Sequence, residues 1–114
     1  MESILNSVKK MLGIDSSYTH FDSDLIMHIN SVLMVLTQMG VGPSNGYSIS
    51  GEYENWTDFM ADVDKMAAIK TYVYQKVRII FDPPTSSAHM EALKNSIAEF
   101  EWRLHIAAES NKTE

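Results

Sequence analysis

Pro83 and Pro84 stand between two stretches of helical apolar spacing, and they constrain the fold more than any other residues in the chain. Proline has no backbone N–H and its ring collides with the preceding turn, so no helix runs through the pair. The residue ahead of it, Asp82, is pushed toward extended backbone. Before the break, Phe59, Val63, Met66, Val73, Val77 and Ile80 share one face of a helix. After it, Met90, Leu93, Ile97, Phe100 and Leu104 advance in alternating steps of three and four. Two amphipathic helices therefore meet at a structural corner made by Asp82, Pro83, Pro84 and a capping serine, Ser86 or Ser87. Glu91 lies near the positive end of the second of these helices.

The same spacing rules organise the chain upstream. Ile4, Leu5, Val8, Met11 and Leu12 define an amphipathic helix over residues 2–12, and Gly13 is its stop. After a connector over 14–21, Asp22 or Ser23 is placed to cap a second helix. Leu25, Ile26, Ile29, Val32, Leu33 and Leu36 form its stripe, Met27 and Met34 fall opposite, and Gly40 ends it. Residues 41–56 are irregular: Gly42-Pro43, Asn45-Gly46 and Gly51 signal turns, and Tyr47 to Ser50 alternates like a short strand. Asn55 or Thr57 is suited to cap the third long helical segment, and Lys70 interrupts that segment's apolar face. Lys70 either snorkels to the rim or pairs with Asp22 or Asp24.

The expected fold is all-α. It is a small bundle of about four helices, with a projecting loop or short β-hairpin between the second and third long helical segments. One domain spans 1–114, with the irregular loop at 41–56 and a polar tail at 109–114. Ala98, Trp102 and Ile106 give the last helix a second apolar stripe. Such a helix is either sandwiched in the fold or offered to a partner.

Charge is distributed unevenly. Between Met11 and Asp64 there is no Lys or Arg, while Asp15, Asp22, Asp24, Glu52, Glu54, Asp58, Asp62 and Asp64 are acidic. Residues 65–80 reverse the sign with Lys65, Lys70, Lys76 and Arg78. A net charge of −6 with an acidic first half argues against wrapping nucleic acid, which requires clustered cations. The two blocks either pair within one chain, or simply keep it soluble, or hold the acidic part of one copy against the basic part of the next. The lack of cysteine excludes disulfides and thiolate metal sites and points to an intracellular protein. Met1-Glu2-Ser3 lacks the basic start of a signal peptide, and the longest apolar stretch, 25–36, is too short to cross a bilayer.

No catalytic constellation is visible. His20, His28, His89 and His105 are scattered and form no HExxH pattern, and there is no GxSxG, Walker or GxGxxG sequence. Asp22 and Asp24 are more simply explained by a helix entrance than by a calcium loop. No enzyme activity, cofactor or metal is expected.

Taken in order, KKMLGID, YTHFDSDLIMHINSVLMVLTQMGVGPS, WTDF, IKTYVYQKVRIIFDPPTSS and EFEWRLH cover most of the chain from about residue 5 to 108. This ordered set resembles the tailed-phage head–tail connector family, the adaptor proteins beneath the portal. The resemblance implies a helical, non-enzymatic virion protein, made in the host cytoplasm and placed at the head–tail interface. It implies a homo-oligomeric ring of about twelve copies that extends the portal channel. Its partners would be the portal protein, downstream tail or stopper proteins, and DNA passing through the lumen without sequence-specific binding; no membrane is involved. On that reading Trp102, Arg103 and Ile106 are expected to dock on the portal. Pro43, Tyr47, Ile49, Tyr53 and Trp56 belong to the loop expected to touch a neighbour or the tail. Lys65, Lys76 and Arg78 are expected to face Glu52, Glu54, Asp58 and Asp62 across subunits. The alternative is a small helical module that binds protein or nucleic acid in phage packaging or regulation. Against it, Lys65, Lys76 and Arg78 do not share one helix face.

Overall fold

The computed structural model describes residues 2–112, and the side chains of all of these except Val63 and residues 108–112. Its helices are α1 (Ile4–Leu12), α2 (Asp22–Gln38), α3 (Trp56–Phe59), α4 (Val63–Phe81) and α5 (Ser87–Lys112). Ile4, Leu5 and Val8 of α1 and Leu25, Ile29, Leu33 and Leu36 of α2 pack into one core with Ile69, Tyr72, Val73 and Val77 of α4. The central helix is α4, which packs against α1, α2 and α5. Leu93 and Ile97 bury the inner face of α5, with Phe100 and Leu104 partly covered.

Local signals explain most boundaries. Ser3 Oγ accepts from the Asn6 N–H at the start of α1. At its end Gly13 takes φ +82°, a left-handed conformation that costs glycine nothing, and its N–H bonds the Lys10 carbonyl. At the proline corner Asp82 turns away from helix at φ −146°, ψ 66°. Ser86, rather than Ser87, supplies the cap of α5: its Oγ faces the His89 N–H at 3.4 Å, and Ser87 is already helical. The helix then continues through Lys112, so polar residues 109–112 are helical, and 113–114 lie outside the described residues.

The third helical segment is divided. Asn55 opens α3, its N–H donating to the Asp58 carboxylate at 3.0 Å. The chain then extends at Met60 (φ −153°, ψ 146°), and Asp62 starts α4 by accepting from the Asp64 N–H. Asp62 competes for an amide that a continuous helix would leave to its own turn, so the helix restarts there. Phe59 still reaches the core, from α3. The side chain of Val63 lies outside the description, and Ile80 is 56% exposed in the last turn of α4. There Phe81 packs instead, edge-on against Phe21, with ring centres 5.2 Å apart.

A buried cation appears where periodicity does not place one. The Lys9 side chain is 1% exposed, and its Nζ lies 2.8 Å from Asp22 Oδ1 while donating to the Ser16 carbonyl at 3.1 Å. One ammonium thus ties α1 to the entrance of α2 and to the connector between them. It also explains why Asp22 does not cap: its carboxylate is turned to Lys9, and Phe21 occupies the N-cap position without a side-chain bond. Lys70 neither pairs with Asp22 or Asp24 nor stands alone; it meets Glu2 near the surface. Removing a buried ammonium leaves Asp22 and the Ser16 carbonyl uncompensated. Lys9→Ala is expected to cost about 3 kcal/mol in urea unfolding, the low end for a buried pair because Asp22 keeps some solvent. The double change Lys9→Met with Asp22→Asn should recover part of that loss.

Candidate interaction surfaces

The segment between α2 and α3 contains turns and bends, and no strand is assigned within it among the described residues. Its sole ladder element is an isolated antiparallel bridge between Ser3 and Asn55. It is fastened to the body at several points rather than projecting freely. Asn30 of α2 accepts from the Ile49 N–H at 2.7 Å and donates to the Ile49 carbonyl at 2.9 Å, driving the Ile49 side chain into the core. Trp56 is buried as well, with its indole N–H donating to Ser7 Oγ at 2.7 Å. The Ile4 N–H bonds the Glu54 carbonyl and the Trp56 N–H bonds the Glu2 carbonyl. Gly42 (φ +83°) lies against the Phe59 ring, so closely that a Cβ there would come within 2.5 Å of it.

These anchors sort the loop residues. Ile49 and Trp56 are core residues, because each satisfies its polar groups internally and places its apolar surface inward. Pro43 and Tyr47 are half-buried, Tyr47 against Phe59. Tyr53 is 85% exposed. It sits on a short turn closed by Glu54, whose Oε2 accepts from the Ser50 N–H at 2.9 Å and Ser50 Oγ at 2.8 Å. Oε1 accepts from the Gly51 N–H at 3.3 Å. Desolvation is the largest influence on the Glu54 carboxyl and pushes its pKa up, yet the combined hydrogen bonds from Ser50 and Gly51 hold it below the usual carboxylate value.

The charged residues singled out by the sequence are mostly engaged within the chain. Glu54 closes its turn, Asp58 takes the Asn55 N–H and Asp62 caps α4. Lys76 lies 3.4 Å from Glu101 of α5, and Arg78 donates to the Tyr74 hydroxyl. Among the described residues none of the expected pairs between Lys65, Lys76 or Arg78 and Glu52, Glu54, Asp58 or Asp62 forms within one chain. Glu52 and Lys65 are both exposed.

A polar seam holds α5 on α4. Tyr72, buried in the core, donates its hydroxyl to Glu101 Oε2 at 2.8 Å. Its pKa is raised, chiefly by burial and then by the Glu101 carboxylate. Gln75 and Ser96 exchange two hydrogen bonds nearby. Beyond this seam the outer stripe of α5 faces solvent: Trp102 is 65% and Ile106 45% exposed, with Ala98 exposed in line with them. Arg103 is also exposed and holds Glu99 one turn back at 2.8 Å. Beside the stripe a groove of about 490 Å³ runs between α4 and α5, with Ala68, Phe100, Leu104 and Ala107 on its walls and Lys65 and Arg103 among its polar lining. Met27 (64%) and Met34 (57%) add exposed apolar surface on α2. Neither the Glu54 clamp nor the groove follows from helical periodicity. The Ser50-Gly51 pair ahead of Glu54 and the small Ala68 and Ala107 were their available signals.

Among the described residues no group of three His, Asp or Glu side chains is placed to hold a metal, and no helix is long and apolar enough to cross a membrane. The molecule exposes Met27, Met34, Tyr53, Trp102 and Ile106 among its large apolar side chains. Over residues 4–111 the chain matches the family described as Phage connector protein. The chain belongs to the phage connector family. No curated protein and no solved structure gives a match. Membership makes this connector a structural rather than catalytic component of a phage particle, associated with portal or tail proteins.

The unequal exposure of its tryptophans has measurable consequences. Trp56→Ala in the connector is expected to lose about 3–5 kcal/mol of stability, whereas Trp102→Ala should stay within about 0.5 kcal/mol of the parent in chemical unfolding. Gly42→Ala is expected to cost about 2 kcal/mol or more, through the clash with Phe59 and the strained φ, and Gly46→Ala about half that, since open space surrounds it. Equal thermal shifts for the two glycine variants would show that the Phe59 ring yields.

Proposed function

We propose that this connector acts as a ring-forming adaptor that joins the portal of the DNA-filled head to the tail and continues the DNA channel. The observation that carries the reading is the presence of unlike contact surfaces on different elements of one chain. The outer stripe of α5 offers Ala98, Trp102 and Ile106, the α4–α5 groove beside it offers Phe100 and Leu104, and the clamped turn offers Tyr53. Unlike patches that engage each other are heterologous, and heterologous contacts close into rings when the rotation permits. The chain is also thin, with extents of 45 × 36 × 21 Å, a shape suited to packing side by side. On this reading the ring holds about twelve copies, the number the family resemblance implies.

In the proposed assembly Trp102 and Ile106 dock on the portal, with Arg103 at the edge of the contact. Of the charges, Lys65 and Glu52 remain as the pair acting between subunits, because Lys76 and Arg78 already have partners in α4 and α5. The net charge of −6 repels phosphates, so DNA slides through the lumen rather than sticking to its wall. Tail or stopper proteins bind the face away from the portal, and the assembly resides in the virion.

Light scattering combined with electron microscopy, on the chain alone and mixed with its portal protein, tests this. Closed rings alone or on the portal are the expected result. A chain that stays monomeric beside the portal and shifts DNA at physiological salt would overturn the proposal in favour of a nucleic-acid-binding module. Within rings that do form, Trp102→Ala should weaken portal association by about tenfold or more.

A further inference from the structure

The clamped turn and the α4–α5 groove match in size, polarity and charge, and we infer that they meet between copies: Tyr53 of one chain seats in the α4–α5 groove of the next. The contact rests on the ring reading above and specifies how neighbouring subunits join.

Tyr53 is an unusual residue to leave in water. It is 85% exposed, yet the turn that carries it is among the most heavily tied parts of the loop. Glu54 takes hydrogen bonds from Ser50 and Gly51, and Asn30 holds Ile49 just before the turn. Ile4 and Glu2 pair with the backbone on its far side. Ordering a side chain and its loop is a large part of the cost of association. Here the backbone is already ordered, so an aromatic at its tip binds with little further loss. A tyrosine on a rigid support, apolar in its ring and polar at its end, is the type of residue that dominates contact energies.

The groove supplies the complement. Its volume of about 490 Å³ lies in the range of pockets that enclose small ligands, so it accommodates one aromatic side chain with part of its turn. Ala68 and Ala107 leave room between the helices, and Phe100 and Leu104 give the ring an apolar surface. Polar groups border that apolar wall. Arg103 is held by Glu99, which leaves the Lys65 ammonium as the cation offered to a neighbour. Glu52, adjacent to Tyr53 and exposed, is the matching anion. Tip and groove lie on different elements, so the contact is heterologous and each copy both gives a tyrosine and receives one.

Sedimentation velocity on the full chain, with portal protein present if rings require it, tests the contact using Tyr53→Ala, Glu52→Lys, Lys65→Glu and the double Glu52→Lys/Lys65→Glu. All three substituted positions are exposed, and circular dichroism checks that each of the four variants keeps its helices. Tyr53→Ala is expected to weaken ring formation by about tenfold or more. Each single charge reversal should weaken it at low salt, and the double should restore it to near the parent level. Rings that form equally well with Tyr53→Ala, or single reversals that the double fails to rescue, overturn the inference while leaving the ring itself standing. Rings that persist in Tyr53→Ala but lose the portal would make the portal, rather than a neighbouring copy, the partner of Tyr53, and likewise overturn it. A parent chain that never forms rings, with or without portal, removes the ring reading and this contact together.

Discussion

The hydroxyl of Tyr72 lies 2.8 Å from the carboxylate of Glu101, and through that bond the body of the protein holds its last helix. The tyrosine ring is fully buried among α1, α2 and α4, while its polar end leaves the core on the α5 side. One residue therefore satisfies two demands on α4, closing the core and aligning a helix that has its main packing there. Lys76 reaches the same carboxylate at 3.4 Å, and Gln75 with Ser96 repeats the link nearby. Hydrogen bonds of this kind contribute modestly one by one, but they select a single rotation of α5 about its axis. With that rotation set, Leu93 and Ile97 face inward, while Trp102 and Ile106 keep much of their surface exposed.

The same logic governs the loop before α3. A segment of this length is expected to be mobile unless its backbone groups find partners. Here they find them in Asn30, Glu54, Glu2 and the N-terminal residue Ile4. Stability and presentation are linked as a result. The residues that anchor the loop, Ile49 and Trp56, are withdrawn from any surface role, and Tyr53 is left as its outward feature. A structural component of a phage particle needs surfaces that are shaped before a partner arrives, and Tyr53 on its clamped turn and Trp102 on α5 both stand on rigid supports.

Burial of Lys9 shows where pattern reading loses its reach. Lysine at that position reads as the polar side of α1, and a periodicity argument assigns it to solvent. The fold buries it because Asp22 and the Ser16 carbonyl arrive from later in the chain and together offset its desolvation. Lys70 reads as either snorkelling to the rim or pairing with Asp22 or Asp24, and it meets Glu2 near the surface instead, because which carboxylate comes near is a matter of how the chain packs. The split of the third helical segment has a more local origin. Asp62 was read as one of several acids in a charged block, whereas its side chain takes the amide that starts α4.

Much of the secondary structure was legible because it is enforced within a few residues. Gly13 and the pair Pro83-Pro84 act on their own turns, through left-handed φ and missing donors, whatever the remainder of the chain does. The apolar stripes of α1, α2 and α5 and the outward placement of Met27 and Met34 follow from a fixed 100° step per residue. The ordered motifs likewise carried the family. Tertiary structure alone decided which chemically suitable residues meet. It spent Glu54, Asp58 and Asp62 on local amides, took Ile49 and Trp56 into the core, and left Tyr53 and a groove between α4 and α5 in the open. Helical periodicity states which side of a helix is apolar. Only the packing of helices against one another states which apolar sides find a partner within the chain and which remain for another molecule.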